Sequence, residues 1–157
     1  MKEFIVSIFP AEFKHNVAYW RGFILGLVIL ILAVTQLFRF EEFPGIIKAM
    51  HLSGFGVTNW VLAIAIPALE IASIPYLISM RVPERLRAAS KWSGLAVCAV
   101  WIVLTIWTSL YMGGSVQSGL FGGTIATASG WWTVLFTFLL AWSYVLTMRE
   151  LPPRRAR

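Results

Sequence analysis

Apolar residues occur along the chain in four long runs that are separated by polar or glycine-rich segments. The runs span about residues 17–38, 59–80, 92–112 and 131–148. Each is long enough to cross a hydrocarbon core of about 30 Å as a helix that rises about 1.5 Å per residue. The runs do not alternate with a period of two, so we predict four transmembrane α-helices rather than a barrel.

These runs predict an all-α fold, an integral membrane bundle of four transmembrane helices that forms one domain over residues 17–148. The preceding residues 1–16 are amphipathic and predict an interfacial N-terminal segment. Residues 149–157 predict a basic tail, and both end segments are expected on the cytoplasmic side of the membrane.

The two segments on the opposite side differ in kind. In residues 41–58, apolar residues recur at helical spacing around Pro44, which predicts a short interfacial helix on the membrane surface; they are Phe43, Ile46, Ile47 and Met50. Residues 113–130 carry six glycines and no charge. This second segment is expected either to be mobile or to fold back onto the bundle, where glycine allows close approach.

The composition is typical of a membrane protein and excludes several other classes of protein. Of 157 residues, 59% are hydrophobic and 13% are charged, whereas soluble domains carry about 25% charged residues. There is a single cysteine. These values exclude a disordered chain, a disulfide-rich secreted domain and an ordinary soluble enzyme.

The net charge of +6 is a topology signal rather than a sign of nucleic-acid binding. Eleven Lys and Arg residues fall before the first run, at its start, between the second and third runs, or after the fourth. Only Arg39 and Lys48 fall on the other side. Because positive residues collect in the cytoplasm, we predict a multi-pass inner (cytoplasmic) membrane protein with both termini cytoplasmic.

Glu70 is the only carboxylate inside the four runs, about 15 Å from either end of the second run. An ionised carboxylate at that depth costs about 2.5–3.5 kcal/mol or more, so we expect Glu70 to be uncharged and to face the bundle interior. It marks either a ligand or proton site, or a hydrogen bond that locks the packing. Pro67 and Pro75 flank Glu70. They indicate either a kinked helix that carries a functional site, or only that prolines are common in membrane helices.

Small and polar residues spaced three and four apart mark the inward faces of the other three helices. The helical rise brings Trp101 and Thr105 within reach of the level of Glu70, and it predicts a polar layer of Gln36, Thr105 and Thr137 on the outer side of Glu70. We predict a weakly polar, cofactor-binding pocket lined by Glu70, Gln36, Trp101 and Thr105, or else ordinary interhelical hydrogen bonds. The full stripes are Gly22, Gly26, Ile29, Ala33 and Gln36; Gly94, Cys98, Trp101, Thr105, Thr108 and Met112; and Thr133, Thr137, Ala141, Tyr144 and Met148.

The sequence offers no catalytic residue and no metal site. His15 and His51 lie outside the apolar runs, so neither is placed to ligate a membrane haem, and Cys98 alone cannot form a dithiol pair. We therefore expect no catalytic activity of the chain by itself and no covalently bound cofactor. Charged residues after the first run form either a gate over the pocket or a solvated cap; they are Arg39, Glu41, Glu42, Lys48 and His51.

Three segments resemble the DoxX-like and MauE-like family of membrane proteins over about residues 17–148. They are RGFILGLVILILAVTQLFRFEEFPGIIKAMHLSG (21–54), IPALEIASIPYLI with its Pro67-x-x-Glu70 pattern, and SGLFGG (118–123). The resemblance implies a four-helix bundle that is associated with respiratory or sulfur redox systems, such as a thiosulfate:quinone oxidoreductase. This chain has Gln36 where the family often has Lys, and Ser118 and Leu120 where MauE-like chains often have cysteines.

Three functional hypotheses follow. The resemblance, together with a bundle that lacks redox ligands, favours a non-catalytic subunit or accessory factor of a membrane redox or respiratory assembly. Such a subunit would have a quinone- or lipid-facing pocket near Glu70 and other membrane subunits as partners. The alternatives are a small proton-coupled transporter that acts as a homo-oligomer, and a purely structural packing subunit of a larger membrane complex.

Overall fold

The computed structural model describes residues 17–51, 56–80, 82–113 and 115–151. In this part the chain forms five helices: α1 (Val17–Phe38), α2 (Phe43–Ala49), α3 (Gly56–Leu77), α4 (Glu84–Tyr111) and α5 (Trp131–Glu150). The predicted interfacial segment 1–16 and residues 152–157 of the predicted tail lie outside the described residues.

Four of these helices, α1, α3, α4 and α5, are long and apolar enough to cross a membrane. The predicted all-helical membrane bundle of four long helices is thereby confirmed. Helix α4 begins at Glu84, ahead of the apolar run that starts near residue 92. Charged residues such as Arg85 and Arg87 are good helix formers in water, so hydropathy marks the apolar stretch and not the start of the helix.

Helix α3 packs against both α1 and α4, and α4 packs in turn against α5. Helices α1 and α5 contact each other less extensively than these neighbouring pairs do. We call the end of the bundle with the start of α1 and the end of α5 the termini side, and the end with α2 the loop side.

Two glycines let helices approach each other closely. A Cβ atom at Gly22 in α1 would collide with the carbonyl oxygen of Leu77 at the end of α3. A Cβ atom at Gly94 in α4 would collide with the ring of Tyr144 in α5, whose hydroxyl donates to the Lys91 carbonyl at 3.0 Å. Both positions belong to the predicted inward stripes, and both are buried.

The predicted short helix exists as α2, with Pro44 in its first turn. Its apolar face is not a lipid anchor, because Phe43, Ile47 and Met50 are fully buried in a cluster with residues of α3, α4 and Leu120. The indole nitrogen of Trp107 in α4 donates to the Met50 carbonyl at 3.0 Å. Helix α2 therefore covers the loop side of the bundle, and its apolar face contacts protein.

Candidate functional site: a buried hydrogen-bond centre at Glu70

Glu70 lies in the middle of α3 and is 1% exposed. One of its carboxyl oxygens, Oε1, accepts two hydrogen bonds from two other helices. The indole Nε1 of Trp101 in α4 donates to it at 2.8 Å, and the amide Nε2 of Gln36 in α1 donates to it at 3.2 Å. A single oxygen thus joins three of the four long helices inside the bundle.

Gln36 extends this network to the segment between α4 and α5. Its Nε2 also donates to the backbone carbonyl of Leu120 at 3.0 Å. Because both neighbours of the amide nitrogen are acceptors, the orientation of the amide group follows from the network, and both of its hydrogens are used. We refer to Gln36, Glu70, Trp101 and the Leu120 carbonyl as the Glu70 centre.

The glycine-rich segment 115–130 folds back onto the bundle, which is the second of the two predicted alternatives. Leu120 is fully buried, and Thr124 Oγ1 donates to the Thr35 carbonyl at 2.6 Å. Gly122 has a φ of +56°, and a Cβ atom there would lie 2.6 Å from the Cα of Gln36. Only glycine combines this left-handed backbone with such a close approach, so the glycines seat the segment against α1.

The segment also bonds to itself. The amide of Ser118 donates to the Thr127 carbonyl at 2.7 Å, and the amide of Ser129 donates to the Val116 carbonyl at 2.8 Å. The hydroxyls of Ser118 and Thr127 are 2.6 Å apart. These bonds within the segment, together with its contacts with α1, hold the Leu120 carbonyl in the position where it accepts from Gln36.

Thr105 lies next to the centre rather than in direct hydrogen bonding with Glu70. Its hydroxyl donates to the Trp101 carbonyl at 2.8 Å and lies 3.0 Å from the hydroxyl of Thr137 in α5. The predicted polar layer of Thr105 and Thr137 thus forms, and it adds α5 to the network. Gln36 was expected in that same layer on the outer side of Glu70, and its amide group reaches Glu70 Oε1.

Two buried oxygens of the centre, Glu70 Oε2 and Gln36 Oε1, meet no hydrogen-bond donor among the described residues. Both are acceptors when Glu70 is ionised. A proton on Glu70 would turn one of these acceptors into a donor. The Trp101 and Gln36 donors fix the orientation of the carboxyl group that would carry this proton.

The four predicted pocket residues come together, but they are closely packed. Gln36 is fully buried, and Glu70, Trp101 and Thr105 are each 1% exposed. A ring-sized cavity beside them would leave their atoms accessible, so a quinone ring has no room at this site unless the side chains move apart. Quinone binding at Glu70 remains a prediction that requires the centre to open.

The charged residues on the loop side do not assemble into a gate. Arg39 and Glu42 form an ion pair one turn apart, and both side chains are partly exposed. The remaining three, Glu41, Lys48 and His51, are exposed. The arrangement corresponds to the predicted solvated cap.

The Leu120 carbonyl is the part of the centre that sequence reasoning missed. A backbone acceptor carries no side-chain signature, and the only hint was a charge-free, glycine-rich segment able to approach a helix.

Compared with known proteins, the chain matches no family model, no curated protein and no solved structure.

Proposed function

We propose that this chain is a non-catalytic integral membrane subunit or accessory factor of a membrane redox or respiratory assembly. The observation that carries the proposal is the closure of the polar interior. Trp101 and Gln36 donate to the Glu70 carboxyl group, Gln36 also donates to the Leu120 carbonyl, and the three side chains are almost fully buried. A bundle that is closed in this way presents its outer surface, rather than an internal reaction site, to other molecules.

That outer surface is large and apolar. Side chains that are about half exposed or more cover the long helices; they include Trp60, Trp92, Val103, Leu135, Phe138 and Trp142. Lipid covers such faces, and so do the helices of other membrane subunits. The resemblance of residues 17–148 to DoxX-like and MauE-like proteins supports a redox or respiratory context for those subunits.

The proposal also includes a location. The excess of Lys and Arg on the termini side favours an inner-membrane protein with cytoplasmic termini, and in this proposed orientation α2 and the 115–130 segment lie on the outer side. In this orientation, α2 and the 115–130 segment cover the Glu70 centre on the side away from the cytoplasm.

Purification of the tagged full-length chain in a mild detergent tests this proposal. We expect other membrane subunits of a redox complex to co-purify, with any associated quinone found by extraction of the same sample. Recovery of the chain only as a lone monomer, with neither a partner subunit nor a quinone, would contradict the proposal.

A second candidate function is a small proton-coupled carrier. The observation that favours it is that Glu70 Oε2 and Gln36 Oε1 meet no donor within the described part of the chain. Four long helices form a small bundle, so a carrier of this size would act as an oligomer. Proton flux into proteoliposomes, followed with a trapped pH dye, discriminates the two functions. A carrier loses flux in Glu70→Gln, whereas unchanged flux in this variant removes Glu70 from any transport mechanism.

The third hypothesis, a purely structural packing subunit, makes a different prediction for the same variant. The Gln side chain keeps an acceptor oxygen for Trp101 and Gln36. In a packing subunit, Glu70→Gln is therefore almost silent in assembly as well as in flux.

A further inference from the structure

A cavity of about 520 Å³ lies between α1 and α5, which contact each other less extensively than the other neighbouring long helices do. Its size falls within the range of about 300–1,000 Å³ that is typical of ligand pockets. Its walls are mostly aliphatic and aromatic, with Ile24, Leu25 and Val28 from α1 and Phe136, Leu139 and Leu140 from α5. We call this cavity the α1–α5 groove, and its residues are not those of the Glu70 centre.

The polar residues of the groove gather at one end. Arg21, Ser143 and Thr147 line it toward the termini side, while Val28 and Phe136 lie toward the middle of the bundle. Arg21 is half exposed, and its Nη1 donates to Glu150 Oε1 at 2.6 Å. A guanidinium group has five N–H donors, so this ion pair leaves donors for a second anion.

The length of the groove matches one leaflet of a bilayer. From Phe136 to Thr147, α5 rises about 16 Å, and half of a hydrocarbon core of about 30 Å is about 15 Å. An acyl chain that lies along the groove would therefore place its headgroup near Arg21. Arg149 adds positive charge to the same end of α5, and basic pockets between membrane helices bind anionic lipid headgroups.

We propose that the α1–α5 groove binds one phospholipid with an anionic headgroup. One acyl chain fills the apolar part, and the phosphate contacts the Arg21 guanidinium. The positive charge at the polar end and the one-leaflet length are what favour a phospholipid over an uncharged isoprenoid tail or a second copy of the chain. This inference does not rest on the proposed function, because it uses a different face of the bundle.

Native mass spectrometry of the purified, delipidated full-length protein tests the inference, with phosphatidylglycerol and phosphatidylcholine as probes. We expect one tightly bound phosphatidylglycerol and several-fold weaker binding of phosphatidylcholine. In Arg21→Gln the affinity for phosphatidylglycerol should fall about fivefold, which is the contribution expected of one basic residue near a membrane surface. Arg21→Lys should keep most of the preference, because it keeps the charge.

Two control variants separate headgroup binding from other effects of charge. Arg149→Gln removes the same charge at the same end of the bundle but outside the groove lining, and it should lower the affinity less than Arg21→Gln does, because only Arg21 lines the groove. Glu150→Gln breaks the ion pair while leaving Arg21, and it should not weaken binding. Circular dichroism of each variant checks that the helical content is unchanged.

Three results would overturn the proposal. The first is equal binding of the two lipids, and the second is an Arg21→Gln variant that binds phosphatidylglycerol as the wild type does. The third is an occupant other than a phospholipid, which would be an uncharged isoprenoid retained through purification or a second copy of the chain that protects the groove in a dimer.

Discussion

Glu70 joins three helices because two donors from different helices reach the same carboxyl oxygen. Trp101 Nε1 and Gln36 Nε2 each lose their hydration in the bundle interior, and Glu70 Oε1 is the acceptor that compensates both. An unsatisfied buried donor costs about 1–3 kcal/mol, so removal of the acceptor should matter more than removal of the charge.

Replacement of Glu70 by Leu tests this reasoning. Glu70→Leu leaves two buried donors without their shared acceptor and should lower the free energy of unfolding by about 2–4 kcal/mol. Glu70→Gln keeps an acceptor oxygen and should stay within about 1 kcal/mol of the wild type. Unfolding by sodium dodecyl sulfate, followed by circular dichroism in detergent micelles, measures both variants. Equal losses in the two variants would show that an acceptor oxygen at position 70 does not stabilise the centre.

At the residue scale, the sequence predicted which side chains form the Glu70 centre better than it predicted how they contact one another. Glu70 stands out as the lone carboxylate in an apolar run, and the helical rise places Trp101 at its level. The contact with Gln36 depends on how α1 packs against α3, which the periodicity of a single helix does not contain. The role of the Leu120 carbonyl required the path of a segment without regular secondary structure.

At the element scale, α1 and α3 meet where Gly22 faces the end of α3. The Leu77 carbonyl occupies the space that a Cβ atom at Gly22 would need, whereas a Cβ atom at Gly26 would make an ordinary contact of 3.4 Å with Ile78. The two glycines lie one turn apart on the same face of α1, and both are buried. They therefore form a matched pair for testing the helix contact.

We expect opposite effects from alanine at these two positions. Gly22→Ala should destabilise the bundle by about 1–3 kcal/mol, because the methyl group meets backbone and forces the helices apart. Gly26→Ala should be neutral or stabilising by up to about 1 kcal/mol, because alanine favours the helix. Thermal unfolding in detergent compares the two, and equal melting temperatures would contradict the close contact at Gly22.

The sequence predicted some features of the helices and missed others. The inward stripes of α1 and α4 were visible because small and polar residues recur at helical spacing. The start of α4 was not, since Glu84, Arg85 and Arg87 extend the helix beyond its apolar stretch. The apolar face of α2 was recognised, but hydropathy cannot distinguish a face that contacts lipid from one that contacts protein.

At the scale of the whole molecule, the bundle is asymmetric along the membrane normal. On the loop side, α2 and the 115–130 segment cover the interior and are bonded to it through Met50 and Leu120. On the termini side, Arg21 and Glu150 pair at the ends of α1 and α5. The proposed orientation makes the covered side the outer one.

Cysteine labelling in cells tests that orientation. The natural Cys98 is buried, so it gives little background. With a membrane-impermeant maleimide, Ser115→Cys on the loop side should react in intact cells. Arg85→Cys on the termini side should react only after the membrane is permeabilised. The reverse pattern would place the termini outside and contradict the charge distribution.

A double-mutant cycle between Gln36 and Glu70 tests the central claim most directly, namely that the Glu70 carboxyl joins the helices through direct hydrogen bonds. The free energy of unfolding is measured for the wild type, Gln36→Leu, Glu70→Leu and the double variant. We predict a coupling of about 1–3 kcal/mol, because either single change already breaks the shared bond. A second cycle with Gln117→Leu, at an exposed position of the 115–130 segment, should be additive. Effects of Gln36→Leu and Glu70→Leu that add to within about 0.5 kcal/mol would contradict the claim.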